Sequence, residues 1–166
     1  YINVGLTDSK IPDAQAGLEA GVTLAFGAAA GADIFGHMGI CGVDQATSLN
    51  MLVFQDEVIG YVESTMRSLD FGDKELGFDE IADVGPRGTY IDRQFTAENF
   101  RSQLWFPQIL DRDFYDAWFT KGARSTESVV DEKTASLIEN HLPAPISGDM
   151  DRDIESVVRA ARSALG

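Results

Sequence analysis

What this sequence has little of narrows the field before any motif is weighed. It holds one cysteine, Cys41, which has no partner for an internal disulfide, so the chain is expected in a reducing, cytoplasmic compartment. Basic residues are scarce, 13 Lys and Arg against 27 Asp and Glu, for a net charge of −14. No cluster of Lys and Arg is available to neutralise phosphates, which excludes a nucleic-acid surface and argues equally against docking on anionic membranes. No apolar run reaches the roughly 18–20 residues of a membrane span. Residues 14–32 come nearest, but Gln15 and Glu19 interrupt them. Apolar side chains are not lacking: at 44% they exclude a disordered acidic tail, and 166 residues suffice for a domain with a core.

The opening pattern is strand, loop, helix, twice over. Residues 1–4 are apolar enough for a buried strand, and Gly5 to Lys10 form the loop after it. A chain that starts at Tyr1, already inside a strand, is expected to be a truncated part of something longer. Pro12 suits the first turn of a helix to about residue 30, with Ala14, Leu18, Val22, Ala25 and Ala29 at helical spacing. Gly17, Gly21 and Gly27 weaken that helix by roughly 1 kcal/mol each against Ala, tolerable if it packs closely on a sheet. Residues 32–35 form the second strand and 36–45 a glycine-rich loop. A second helix runs from Ser48 to about Leu69, with Met51, Leu52, Val58, Ile59, Val62, Met66 and Leu69 as its stripe. This alternation predicts parallel strands with right-handed crossovers, and two such strands alone leave open edges.

After residue 72 the character changes. Residues 72–89 read as loop with short helical pieces. Thr96 is placed as the cap of a helix ending at Pro107, with Phe95 stapled onto Phe100. Another helix covers 113–121, with Gly122 as its stop, and a third runs from Ser125 or Thr126 through Leu142. Pro143-Ala144-Pro145 breaks the chain before a last helix from about Asp151 to Leu165, acidic at its start and basic at its end. The expected division is therefore 1–71, strand–helix units, and 72–166, a mostly helical extension.

In barrels of alternating strands and helices, sites lie on the loops after the carboxyl ends of strands. That rule selects Thr7-Asp8-Ser9-Lys10 and the run from Gly36-His37-Met38-Gly39 to Asp44-Gln45, side by side. His37 is the sharpest candidate, polar and glycine-flanked directly after a strand, against the plainer role of a histidine bonded to a carbonyl at a barrel rim. His37 and Cys41 are four apart, but in a loop and without a further ligand nearby; His141 lies far downstream on a solvated helix. No metal site is expected. Asp8, Ser9 and Lys10 admit an acid, a nucleophile and a base; for Ser9 the better reading is a side chain that caps the next helix. Gly85-Pro86-Arg87-Gly88 resembles an anion-binding turn only loosely. The aromatics Phe95, Phe100, Trp105, Phe106, Phe114, Tyr115, Trp118 and Phe119 are expected mainly as helix-packing core, with some left for a cation cage or a lid.

Five blocks in order carry a resemblance. They are Thr7-Asp8-Ser9-Lys10-Ile11-Pro12-Asp13-Ala14-Gln15-Ala16-Gly17, Gly31 through Gly39, Asp83-Val84-Gly85-Pro86-Arg87-Gly88-Thr89-Tyr90, Phe100-Arg101 through Trp105-Phe106-Pro107, and Asp111-Arg112 through Tyr115-Asp116-Ala117-Trp118. Together they resemble the trimethylamine:corrinoid methyltransferase family over essentially the whole chain. The resemblance implies an α/β fold, the C-terminal part of a (β/α)8 TIM-type barrel followed by a helical tail. It implies methyl transfer from an amine to the cobalt of a corrinoid (cobalamin) carried by a cognate corrinoid protein, with homo-oligomerisation expected. Trimethylamine enzymes carry pyrrolysine near the strand preceding the Thr7 block; Val4-Gly5-Leu6 stand there, with Gly5 at the aligned position, which resembles members acting on glycine betaine or related quaternary amines. Gly5, Asp8, Gly36, His37, Met38 and Asp44 are the candidate substrate- or corrinoid-contacting residues, and no catalytic residue is assigned. Two other readings remain open: another barrel enzyme using His37 and Asp8 as acid and base, and a non-catalytic module for corrinoid-protein docking or oligomerisation.

Overall fold

The computed structural model describes residues 1–165. The two strand–helix units form. Strand β1 (Ile2–Asn3) pairs in parallel with β2 (Phe35–Gly36), Ile2 opposite Phe35 and Asn3 opposite Gly36. Parallel neighbours need a crossover connection, and α1 (Ala14–Ala29) supplies it. Helix α1 starts where the Asp13 carboxylate accepts from the Ala16 N–H at 3.0 Å, so Pro12 sits just before the cap rather than in the first turn. Both strands are shorter than the runs 1–4 and 32–35. The second begins late because the helix exit consumes its expected start: the Ala32 N–H still returns to the Gly27 carbonyl at 3.1 Å. Nor is β1 deeply buried, since Ile2 is half-buried and Asn3 exposed.

The buried face of α1 is not the expected stripe. Ala16, Ala20, Leu24 and Gly27 face inward, while Leu18 and Val22 remain more than half exposed. Small residues decide this by letting the helix come close. A Cβ on Gly27 would lie 3.0 Å from the Phe35 ring and 3.5 Å from Val4, so the helix meets the strands there with nothing to spare. At Gly17 a Cβ would make only ordinary contact with the Phe54 ring, 3.5 Å away, and Gly21 faces open space.

The glycine-rich segment after β2 is not simply a loop. It folds into a hairpin, β3 (Ile40–Cys41) antiparallel to β4 (Ala46–Thr47), through a turn with Gly42, Val43 and Asp44 all in the left-handed region. Ser48 then caps α2 (Leu49–Met66), its hydroxyl accepting from the Met51 N–H at 3.3 Å. Helix α2 stops at Met66, leaving Leu69 outside it. It buries Met51, Phe54, Gln55 and Glu57, two of them polar.

Beyond α2 come α3 (Asp73–Leu76), α4 (Phe78–Val84), α5 (Gln94–Gln103), α6 (Tyr115–Thr120), α7 (Thr126–Asn140) and α8 (Gly148–Leu165). The segment 85–88 is the exit from α4 followed by a turn: the Gly85 N–H returns to the Ile81 carbonyl, and Gly85 and Arg87 take positive φ. Helix α5 begins earlier than a Thr96 cap allows. Its N-cap is Arg93, whose guanidinium bonds Glu80 at 2.8 Å and also Asp83, tying α4 to the start of α5. Phe95 and Thr96 are inside the helix. It ends at Gln103, before Pro107, where Arg67 donates to the carbonyls of Ser102 and Gln103. Helix α7 ends at Asn140, so His141 lies past it, and α8 starts at Gly148, with the Ser147 hydroxyl accepting from Met150 N–H at 3.2 Å.

The architecture is mixed α/β, mostly helical with few strands. By contacts it divides into two units, Tyr1–Ala135 and Ser136–Gly166. Within the first, the core joins Ala16, Cys41, Met51, Phe54, Ile109 and Val130. Ile109 reaches it because Glu57 holds its segment. One carboxylate oxygen, Oε1, accepts from the N–H groups of Gln108 (3.0 Å), Ile109 (2.9 Å) and Leu110 (3.0 Å). Among the described residues, no helix is long and apolar enough to cross a membrane.

Candidate functional site

The loops leaving the carboxyl ends of β1 and β2 run side by side, as adjacent parallel strands require. Two backbone bonds join them, Thr7 N–H to the Ile40 carbonyl (3.2 Å) and Gly42 N–H to the Ser9 carbonyl (2.9 Å). At their junction lies Gly5, buried and at φ +86°. Its N–H donates to Thr23 Oγ1 at 3.0 Å, and its carbonyl accepts from the side-chain Nε2 of Gln55. The same amide accepts, through Oε1, the N–H of Gly39 at 2.6 Å. Beside Gly5 stands the Met38 thioether: a Cβ at position 5 would come 2.8 Å from Met38 Sδ and 3.3 Å from Leu24.

Of the six candidates, Gly5 and Met38 are therefore brought together. Gly36 sits in β2, where the Tyr1 ring fills the place of a side chain. His37 follows, exposed and at φ +65°, a conformation that histidine tolerates better than most residues. Asp44 is exposed in the hairpin turn. Asp8 is exposed, its N–H donating to Glu19 at 2.8 Å and its carbonyl accepting from Lys10 Nζ at 2.8 Å. Among the described residues no hydrogen bond joins the side chains of Asp8 and His37. His37 and Cys41 do not converge either, because Cys41 is buried in the core while His37 faces solvent. Among the described residues no group of three or more His, Cys, Asp and Glu side chains is placed to hold a metal.

The loop after β1 is fastened to α1 by a polar network. Thr7 and Ser9 are buried. Thr7 Oγ1 donates to Glu19 at 2.6 Å, Gln15 Nε2 to the other Glu19 oxygen at 2.9 Å, and Ser9 Oγ approaches Asp13 Oδ1 at 2.8 Å. Ser9 thus braces the cap of α1 rather than capping it, since the N-cap is Asp13. The donors of Thr7, Gln15 and the Asp8 amide lower the Glu19 pKa below its ordinary 4.5. The Ala16 amide and Ser9 hydroxyl lower that of Asp13 below 3.8. A depressed folded-state pKa means stability that is complete above the unfolded value and lost as pH falls through the folded one. Thermal unfolding should therefore show a falling midpoint as pH drops below about 4.5, and Glu19→Gln should flatten that acid limb. A variant with an unchanged acid limb would remove Glu19 from the account.

Two residues that hold this site, Gln55 and Thr23, are absent from the expectations, as is Glu57, which holds the segment 108–110. Gln55 had a signal: it falls between Met51 and Val58 on the apolar stripe of α2, where an amide needs partners. Glu57 and Thr23 had none, since their partners are backbone groups. The aromatic set departs from its expected role. Phe106, Phe114, Tyr115 and Phe119 are largely exposed, and the aromatic pairs are local, Tyr115 with Trp118 and Phe119, Phe100 with Phe106. Trp105 stacks on Tyr61, ring centroids 4.8 Å apart, and the cation over that pair is the chain's own Arg112, 5.1 Å and 5.6 Å from the two rings.

Comparison with known proteins agrees with the sequence blocks. The family model described as trimethylamine methyltransferase (MTTB) matches residues 2–166. A glycine betaine methyltransferase of Desulfitobacterium hafniense is 28% identical over 163 residues, 98% of this chain and 34% of that protein. A trimethylamine methyltransferase MttB of Methanosarcina barkeri is 26% identical over 167 residues, 99% of this chain and 33% of that protein. The chain spans about a third of the length of the curated relatives it matches.

Proposed function

This chain belongs to the trimethylamine methyltransferase (MTTB) family, and from that premise we propose that its protein moves a methyl group from a quaternary methylamine, of the glycine betaine kind, to the cobalt of a corrinoid. The corrinoid is a second substrate delivered by a separate protein in the cytoplasm. In this reading residues 1–71 are the last strand–helix units of a (β/α)8 barrel and residues 72–166 a mostly helical extension.

One observation carries the choice of a quaternary amine. Gly5 stands where the resemblance expects pyrrolysine in trimethylamine enzymes, and the room for a side chain there is taken by Met38 and Leu24. The chemistry agrees. When the C–N bond of a quaternary ammonium breaks, its electron pair leaves on a neutral tertiary amine, so neither an acid nor a covalent activator is required. Alignment and exclusion of water suffice. The reduced corrinoid supplies the electron pair for the new bond to carbon. The polarizable Met38 thioether, packed over Gly5, offers a soft surface for N-methyl groups. In this reading His37, exposed directly after β2, meets the substrate carboxylate or the corrinoid.

The test uses the protein at its full encoded length, a reduced corrinoid protein and glycine betaine. Methylation of the cobalt, followed by its absorption spectrum, is the expected result. No methylation with betaines, carnitine or methylamines overturns the reading. His37→Ala should slow transfer, and full activity in that variant removes His37 from the site.

A further inference from the structure

The loops after β1 and β2 are tied together by one side chain that reaches both. Gln55 is fully buried, in an α2 face otherwise marked by Met51 and Phe54. Its Nε2 donates to the Gly5 carbonyl and its Oε1 accepts from the Gly39 N–H. The partners fix which end of the amide is which, because a carbonyl needs a donor and an N–H needs an acceptor. An alkyl side chain would fill the same space without the cost of burying an amide, so packing alone does not account for a glutamine. Gly5 is thereby held from two sides, by Thr23 of α1 at its N–H and by Gln55 of α2 at its carbonyl. Gly39 directly follows Met38, the residue whose sulfur lies against Gly5. The bond to Gly39 thus sets where Met38 stands over Gly5.

We infer that Gln55 is a positioning residue for the methyl-transfer site: it fixes the Gly5 backbone and the Met38 loop at one separation, so that the methyl-bearing nitrogen is presented in a single pose. The inference rests on the functional reading above. Gln55 touches neither reactant and acts through the two loops it holds.

Gln55→Glu tests this, because its protonation state selects between a broken and an intact tie. As a carboxylate it still accepts from Gly39 but offers Gly5 no donor, and two oxygens then face each other. As a neutral acid it donates to Gly5 and accepts from Gly39, reproducing the amide. In the full-length protein the variant's kcat should rise about tenfold relative to wild type between about pH 8 and pH 6, with KM changed about threefold or less. A kcat ratio independent of pH overturns the inference. If Gln55→Glu does not fold, Gln55→Met takes its place, with a fall of about tenfold in kcat at nearly unchanged KM expected and wild-type kcat contrary to it. A readout without substrate separates this inference from the functional reading. Amide hydrogen exchange at Gly39 should be about tenfold faster in Gln55→Met than in wild type. Unchanged protection overturns the tie even if methyl transfer is observed; faster exchange supports it even if no methyl transfer is found.

Discussion

Replacing Glu57 by alanine lowers the free energy of unfolding by about 3 kcal/mol, the largest stability loss expected from a single polar substitution here. Three successive N–H groups, from Gln108 to Leu110, converge on one oxygen of this carboxylate. Such a run of amides forms a small anion-binding concavity, and a charged acceptor makes each bond stronger than a neutral one. Glu57 is itself buried, and so is Ile109, which this grip presses into the core. Without the acceptor, the amides lose their partner and the segment loses its reason to lie against α2. Glu57→Gln should cost about half as much, since its carbonyl oxygen still accepts while its NH2 group meets the Gln108 N–H. Urea unfolding of the full-length protein measures both. A loss under about 1 kcal/mol for the alanine variant would mean that water solvates these amides as well as Glu57 does.

Gly5→Ala should cost about 3 kcal/mol, from two separable sources. The first is backbone: at φ +86° a residue with a Cβ is strained wherever it sits. The second is contact, because the new Cβ would lie 2.8 Å from Met38 Sδ. Met38→Ala removes the second source and leaves the first. A double-mutant cycle should therefore return a favourable coupling of about 1 kcal/mol, with the rest of the cost persisting. Zero coupling would place the thioether elsewhere. Under the proposed function, methyl transfer in Gly5→Ala falls along with stability, because the added carbon displaces the Met38 thioether.

The two helices that frame this site were legible because their signals are local. Asp13 and Ser48 cap them, and the capping bonds reach only to residues 16 and 51. The parallel pairing of the two short strands was legible too, from the alternation of elements. The hairpin from Ile40 to Thr47 was not, since two-residue strands leave no alternating pattern and its turn puts a valine at positive φ. The buried side of α1 was misread for a related reason. In a helix of Ala and Gly, periodicity among the larger residues picked out Leu18 and Val22, but the side that can approach the strands closely is the one with Ala16, Ala20 and Gly27.

The two strand–helix units, the parallel pairing of their strands and the family blocks were determined by the sequence alone. All of these depend on residues within a few positions of one another, or on the succession of helix and strand. Tertiary structure decided which side of each helix is covered, that Met38 occupies the space beside Gly5, and that Gln55 and Glu57 work at backbone groups 16 to 53 residues away. The physical reason is that a buried amide or carboxylate is specified by its partners, and here those partners are main-chain atoms, which carry no residue type to read.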